Sequence, residues 1–269
     1  MPYSNLPIGV ANPGLVVILV DQSSSMSETY APPHNRAEFA AIAVNRCIYE
    51  ILAKCRDGQN VRDRCHIAVL GYGLQARNLI VVGRPSDLEA RILRFEDLKQ
   101  RVPDGAGGLV DIDFKLPVWI DATASGSTPM AEAFNFASEM IQAWTRDNPG
   151  NFPPVCINIT DGEPNDETAA ENAARALMQT GTTDGTTLLF NAHIGNPADG
   201  EVKMPASEGH LSNQYARFLY RISSGVPQPL EAAARNVGFN VQSGSRGMLM
   251  NAGPEALTAL IQFGSQHAR

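Results

Sequence analysis

The stretch Leu15–Ser27, LVVILVDQSSSMS, decides how this 269-residue chain folds. Six apolar residues in a row end at Asp21, and serines follow at 23, 24, 25 and 27. A continuous apolar run of this length marks a strand buried on both faces, the central position of a mostly parallel sheet. A strand of that kind delivers whatever follows its last residue to the sheet edge, where loops diverge and ligands bind.

The chain around this strand alternates the two periodicities. Asn35–Lys54 places Ala40, Ala43, Val44, Cys47, Ile48, Ile51 and Leu52 at helical spacing, with Asn35 and Glu38 as a capping box. His66–Tyr72 reads as a second strand and Ala76–Val82, after the turn GYGLQ, as an antiparallel neighbour. The pattern weakens from Asp87 to Val110, with a short helix in SDLEARIL, a surface loop at VPDGAGG and a strand over Phe114–Ile120.

Pro129–Thr145 is expected to be a helix with Thr128 as N-cap and Pro129 as first helical residue. Strand Pro154–Thr160 follows and, like the first, ends on an acid, Asp161. Helix Thr168–Gln179, strand Thr187–Ile194, helix Pro229–Val237, a strand near Met248–Met250 and helix Pro254–Gln266 complete the order. The expected fold is therefore α/β: a Rossmann-like, mostly parallel central sheet with one antiparallel edge strand, flanked by helices on both faces. Residues 1–14 are expected as an N-terminal coil and 15–269 as a single domain, with an irregular insertion around 196–228 containing a short helix Asn213–Ile222.

Composition narrows the function. A formal charge of −7 leaves no Lys/Arg excess for nucleic acid phosphates or an anionic membrane. The N-terminus lacks the charged and apolar regions of a signal peptide, so the expected location is cytoplasmic. Cys47, Cys55, Cys65 and Cys156 show neither C-x-x-C spacing nor the density of a disulfide scaffold, and are expected to be reduced and buried.

Asp21 and Asp161 both sit at the carboxyl ends of strands, and Thr128 at a helix start that reaches the same edge. Ser23 and Ser25, one residue apart, can face the same side. Two carboxylates and three hydroxyls suit a hard divalent cation of the Mg2+ type, and no thiol or imidazole competes to favour zinc or copper. Neutral hydroxyls leave such an ion short of negative charge, so a carboxylate from a partner is an attractive further ligand.

These residues resemble a family. Asp21-Gln22-Ser23-Ser24-Ser25 matches the D-x-S-x-S motif of von Willebrand factor A (VWA) domains, and Thr128 and Asp161-Gly162 match the other two parts of their metal-ion-dependent adhesion site (MIDAS). The resemblance implies a Rossmann-like VWA fold from about Leu15 to the last helix. It implies Mg2+, with Mn2+ or Ca2+ as alternatives, held by Asp21, Ser23, Ser25, Thr128 and Asp161 and completed by a Glu or Asp of a protein partner. The contexts GSTPM and TDGEPND resemble bacterial TerY/YegL-type members, associated with tellurite-resistance or stress operons beside a protein kinase and a PP2C-type phosphatase.

Three functions follow as expectations: a non-enzymatic, metal-dependent interaction module; a Mg2+-dependent phosphohydrolase with Asp21 as nucleophile; or a phosphorylation-regulated scaffold. The phosphohydrolase needs a general acid two residues after Asp21, where Ser23 stands, and no G-x-x-x-x-G-K-[ST] loop is present. Outside this constellation, Asp166 is expected to cap the following helix, Glu163 to sit at the rim, and His193 to be a packed or surface imidazole. Trp119 and Trp144 are expected in the core. Arg217, Tyr220 and Arg221 form either a partner surface or a solvated helix face.

Overall fold

The computed structural model describes residues 3, 8–103, 108–211, 213–251, 253, 256–257 and 259–260. The apolar run is strand β1 (Gly14–Asp21), buried along its whole length. It is followed by helix α1 (Arg36–Cys55), strand β2 (Cys65–Tyr72), strand β3 (Asn78–Gly83), a short helix α2 (Pro85–Glu89) and a hairpin of β4 (Arg94–Pro103) and β5 (Leu109–Val118). Then come α3 (Met130–Asp147), β6 (Val155–Thr160), α4 (Glu167–Gln179), β7 (Leu188–His193), β8 (Val202–Lys203), α5 (Gln214–Ile222), α6 (Glu231–Asn236) and β9 (Met248–Met250). Minor two- and three-residue ladders are left unnumbered.

Seven strands form the central sheet in the order β8-β9-β7-β6-β1-β2-β3. β1 pairs in parallel with β6 and β2, β6 with β7, and β7 with β9. Antiparallel strands close both margins, β3 on β2 and β8 on β9, where the sequence reading expected one. The second comes from the insertion: two residues are too short to leave a periodic signal.

Alternation along β1 divides the core. Val16, Ile18 and Val20 join one cluster with Ala40, Val44, Cys47 and Ile48 of α1. Leu15, Val17 and Leu19 join a second with Phe134 and Ile141 of α3, Leu177 of α4 and Phe218 of α5. Every apolar β1 side chain is thus committed to one helical layer or the other, and each fully buried Val, Leu or Ile contributes roughly 1.5–3 kcal/mol.

The β4–β5 hairpin lies outside the sheet. It pairs from Arg94↔Val118 to Pro103↔Leu109 and contacts α1 through an edge-to-face meeting of Tyr49 and Phe114, 5.2 Å between centroids. The sequence reading put a loop at VPDGAGG and began the strand at Phe114. The ladder instead runs through Pro103 and from Leu109, with 104–107 outside the described residues. Arg94, Phe95, Asp97 and Lys99 of β4 are exposed, and the charged residues of RFEDLK leave no apolar pattern to mark the strand. The helix expected over Pro254–Gln266 lies largely outside the described residues; residues 256–257 and 259–260 are helical.

Buried Asn45 of α1 governs the approach to the site. Its Oδ1 accepts the amides of Trp119 (2.8 Å) and Ile120 (3.1 Å), and its Nδ2 donates to the Ile120 carbonyl at 2.9 Å. The chain leaving β5 is thereby fixed just before the loop 121–128. No described helix is long and apolar enough to cross a membrane.

Candidate metal site

The chain runs to one side of β1 after Asp21 and to the other after β6, so the sheet has its topological switch point between these two strands, where ligand crevices form. Asp21 and Asp161 stand at that point. Asp21 is fully buried; Oδ1 accepts the Ser23 amide at 2.8 Å and Oδ2 accepts the Thr160 hydroxyl at 2.6 Å. Ser23 and Ser25 meet hydroxyl to hydroxyl at 3.1 Å as the chain enters a short 3-10 turn, Ser24–Ser27.

Three loops are tied together around them. The Ser125 amide donates to the Gln22 carbonyl at 2.6 Å, the Ser24 amide to the Gly126 carbonyl at 3.0 Å, and the Asn165 amide to the Thr128 carbonyl at 3.0 Å. Asn165 Oδ1 in return accepts the Thr128 amide at 2.9 Å. Gly126 adopts φ +87°, and a Cβ there would stand 2.4 Å from the Leu74 backbone nitrogen. Thr128 does not cap α3 as expected: Pro129 is the N-cap, and no side-chain bond closes the helix end. Its hydroxyl therefore has no capping duty.

Asp161 is buried, with Oδ1 lacking any hydrogen-bond partner and Oδ2 3.3 Å from Arg36 Nη1. Such an orphaned carboxylate oxygen is costly unless something electropositive meets it. Burial, then the charge of Asp161, push the Asp21 carboxyl up to about 6, and the bonds from Ser23 and Thr160 oppose the shift. Two carboxylates that repel each other in a desolvated crevice, one with a bare oxygen, beside paired hydroxyls, fit a hard divalent cation.

All five residues singled out from sequence thus lie in interlinked loops at one sheet edge. Sequence reasoning missed four neighbours. Thr160 and Asn165 brace the ligand loops. Tyr215 of α5 donates to Glu163 at 2.8 Å, and its Cβ would be 2.9 Å from a Cβ on Gly162, so the insertion borders the site. Arg36 is the fourth. A cation at the first position of a helix opposes the helix dipole, and that misplacement was the signal in the sequence.

The other expectations resolve simply. Asp166 caps α4 through Ala169 N at 2.9 Å, and all four cysteines are buried and unpaired. His193 is buried and hydrogen-bonds the Asp161 backbone; burial pulls its imidazole down to about 4, so it is neutral. Trp119 and Trp144 are core residues. Of Arg217, Tyr220 and Arg221, the two arginines lie on the exposed face of α5. Tyr220 is buried, Arg217 Nε reaches the Leu211 carbonyl at 3.2 Å, and Arg221 pairs with Glu167 at 2.7 Å, anchoring α5 to α4.

Beneath the site a buried polar chain crosses the sheet. Tyr72 donates to Asn158 at 2.7 Å, Asn158 to Asn191 at 3.0 Å, Asn191 to Ser223 at 2.9 Å, and Ser223 to the Leu219 carbonyl at 2.7 Å. Each donor meets an acceptor, so these buried polar groups do not tax the core.

No protein-family model matches the sequence, and no curated protein matches it. Among solved structures the chain is similar to the pilus adhesin SpaC from Lactobacillus rhamnosus GG, at 13% identity and a TM-score of 0.53, covering 97% of this chain and 30% of that one. It is also similar to the manganese-loaded TRAP protein of Plasmodium vivax (14% identity, TM-score 0.49, 97% and 76% covered). A third similar structure is the vWF domain of the type V pili tip protein Mfa5 from Porphyromonas gingivalis (14%, 0.33, 60% and 40%). The SpaC likeness is one of fold. With the switch-point sheet described above, it defines the architecture as a VWA fold.

Proposed function

We propose that this protein is a non-enzymatic interaction module whose divalent ion, Mg2+ in the first instance and Mn2+ or Ca2+ as alternatives, is completed by a Glu or Asp of a protein partner. The observation that carries the reading is the buried, unpartnered Oδ1 of Asp161, set beside Asp21 where β6 and β1 end. Asp21, Ser23, Ser25, Thr128 and Asp161 would hold the ion, which supplies a Lewis-acidic position for an external carboxylate. Leu74, 79% exposed on the loop that meets Gly126, gives the rim an apolar prominence for a partner to cover.

The alternative phosphohydrolase reading is disfavoured because Ser23, two residues beyond Asp21, is engaged with Ser25 and offers no carboxylic acid for a leaving group. A kinase or PP2C-type phosphatase as partner, in a tellurite-resistance or stress setting, rests on the TerY/YegL resemblance of GSTPM and TDGEPND. The scaffold reading adds phosphorylation near the site and is compatible with the module. The test is calorimetric Mg2+ titration of chelator-treated wild type and Asp21→Ala, followed by a pull-down from native lysate in Mg2+ or EDTA. Loss of metal binding in the variant, with the same bands lost in EDTA, is the expected result; a wild type that binds no divalent ion refutes the reading.

A further inference from the structure

Arg36 is the one cation bonded directly to a proposed metal ligand among the described residues, and its geometry is unusual. Its Nη1 lies 3.0 Å from Glu28 Oε2, 3.3 Å from Asp161 Oδ2 and 3.3 Å from the Ser25 carbonyl, so a single nitrogen serves three acceptors, two belonging to residues of the candidate site. Its Nε is buried without a partner. Its side chain is 15% exposed and that of Asp161 7%. As first residue of α1 it also faces the positive end of the helix dipole. Neither the helix start nor full hydrogen bonding favours a guanidinium here; the carboxylates do.

We propose that Arg36 is a resident cation that competes with the divalent ion for Asp161, so that the site loads only by displacing a charge already in place. The inference rests on the metal reading above and deepens it. An ion arriving at Asp161 meets a fixed positive charge beside it, in a crevice where solvent screens poorly. In the absence of metal the same guanidinium offsets the repulsion between Asp161 and Asp21. The divalent ion is favoured when something else rewards the displacement, and an anionic side chain from a partner is a natural source of that reward by linkage.

The test is calorimetric titration of Mg2+, and separately Mn2+, into chelator-treated full-length wild type, Arg36→Met, Arg36→Lys and Glu28→Gln, with circular dichroism to establish folding. Arg36→Met is expected to bind about ten- to a hundredfold more tightly than wild type, and Arg36→Lys, which keeps the charge, to stay within about threefold of it. Glu28→Gln leaves Arg36 with Asp161 as its remaining acid and is expected to bind more weakly. A wild type that binds metal while Arg36→Met binds equally or less tightly overturns this inference and leaves the metal reading standing. If the wild type binds neither ion, the metal reading fails and takes the inference with it, whether or not Arg36→Met binds. Should Arg36→Met not fold, an unchanged affinity in Glu28→Gln overturns the proposal, and a weakened one supports it.

Discussion

The Thr160 hydroxyl donates to Asp21 Oδ2 at 2.6 Å and accepts the Gly162 amide at 2.9 Å, joining the end of one central strand to the turn that follows its neighbour. One oxygen thus sets both the orientation of the Asp21 carboxylate and the path of the chain just after Asp161. Thr160→Val keeps the shape and removes the link, leaving a buried amide and a carboxylate oxygen unpaired. Denaturant unfolding in EDTA should show a loss of about 1–3 kcal/mol, and calorimetry should show weakened Mg2+ binding.

The Asp21 carboxyl gives the metal-free protein a defined pH dependence. Its folded value, about 6, lies above the 3.8 of an ordinary aspartate, so between those values the folded chain holds a proton that the unfolded chain has released. Stability therefore falls as pH rises through this window, by an amount on the order of 3 kcal/mol when complete. Chemical unfolding in EDTA at pH 4, 5, 6 and 7 should show wild type losing stability relative to Asp21→Asn. Mg2+ affinity should move the other way, declining below about pH 6 as protons compete for Asp21.

Asp21→Asn should separate stability from binding. In EDTA at pH 7 it removes a buried charge and is expected to unfold no more easily than wild type, while losing the stabilisation that Mg2+ gives. Thr128→Ala should also weaken Mg2+ binding, yet leave the EDTA melting temperature nearly unchanged, because Thr128 makes no capping bond to α3. A large drop for Thr128→Ala in EDTA would assign it a structural role instead.

Gly162 adopts φ +90°, and a Cβ there would come within 2.9 Å of Tyr215 Cβ and 3.0 Å of His193 Cδ2. Gly162→Ala should cost about 1–3 kcal/mol through backbone strain and this crowding. Because the turn holds Asp161, the same variant should bind Mg2+ more weakly, and Gly150→Ala, where a Cβ meets nothing within 4 Å, is the control.

The ends of β1 and β6 were legible because burial on both faces forces a continuous apolar run, and an acid that stops such a run is conspicuous. The capping box at Asn35 was legible for a similar reason: it is local, and both of its bonds form, Glu38 N to Asn35 Oδ1 at 2.8 Å and Asn35 N to Glu38 Oε2 at 3.0 Å. The first strand of the β4–β5 hairpin was not, since its charged, mostly exposed residues from Arg94 to Lys99 carry no hydrophobic alternation, whereas Val110, Ile112, Phe114, Leu116 and Val118 of β5 do alternate and only the start of that strand was misplaced. Thr128 was read as an N-cap from residue type alone, whereas the chain turns one residue later, at Pro129. Tyr215 reaches the site from a segment 54 residues from Asp161 and depends on tertiary placement that local pattern does not encode, whereas for Arg36 local pattern shows a cation at the wrong end of a helix but not the Asp161 it meets.

The short margin β8 has an effect beyond completing the sheet. An exposed parallel strand presents a row of free amides and carbonyls on which a foreign chain can grow. Val202 and Lys203 occupy that row on β9 by pairing with Met250 and Leu249, and Lys203 carries a charge, paired with Glu201 at 2.8 Å, at the boundary. The insertion thereby acts as a stopper against sheet extension, so that association through this margin by strand addition is discouraged.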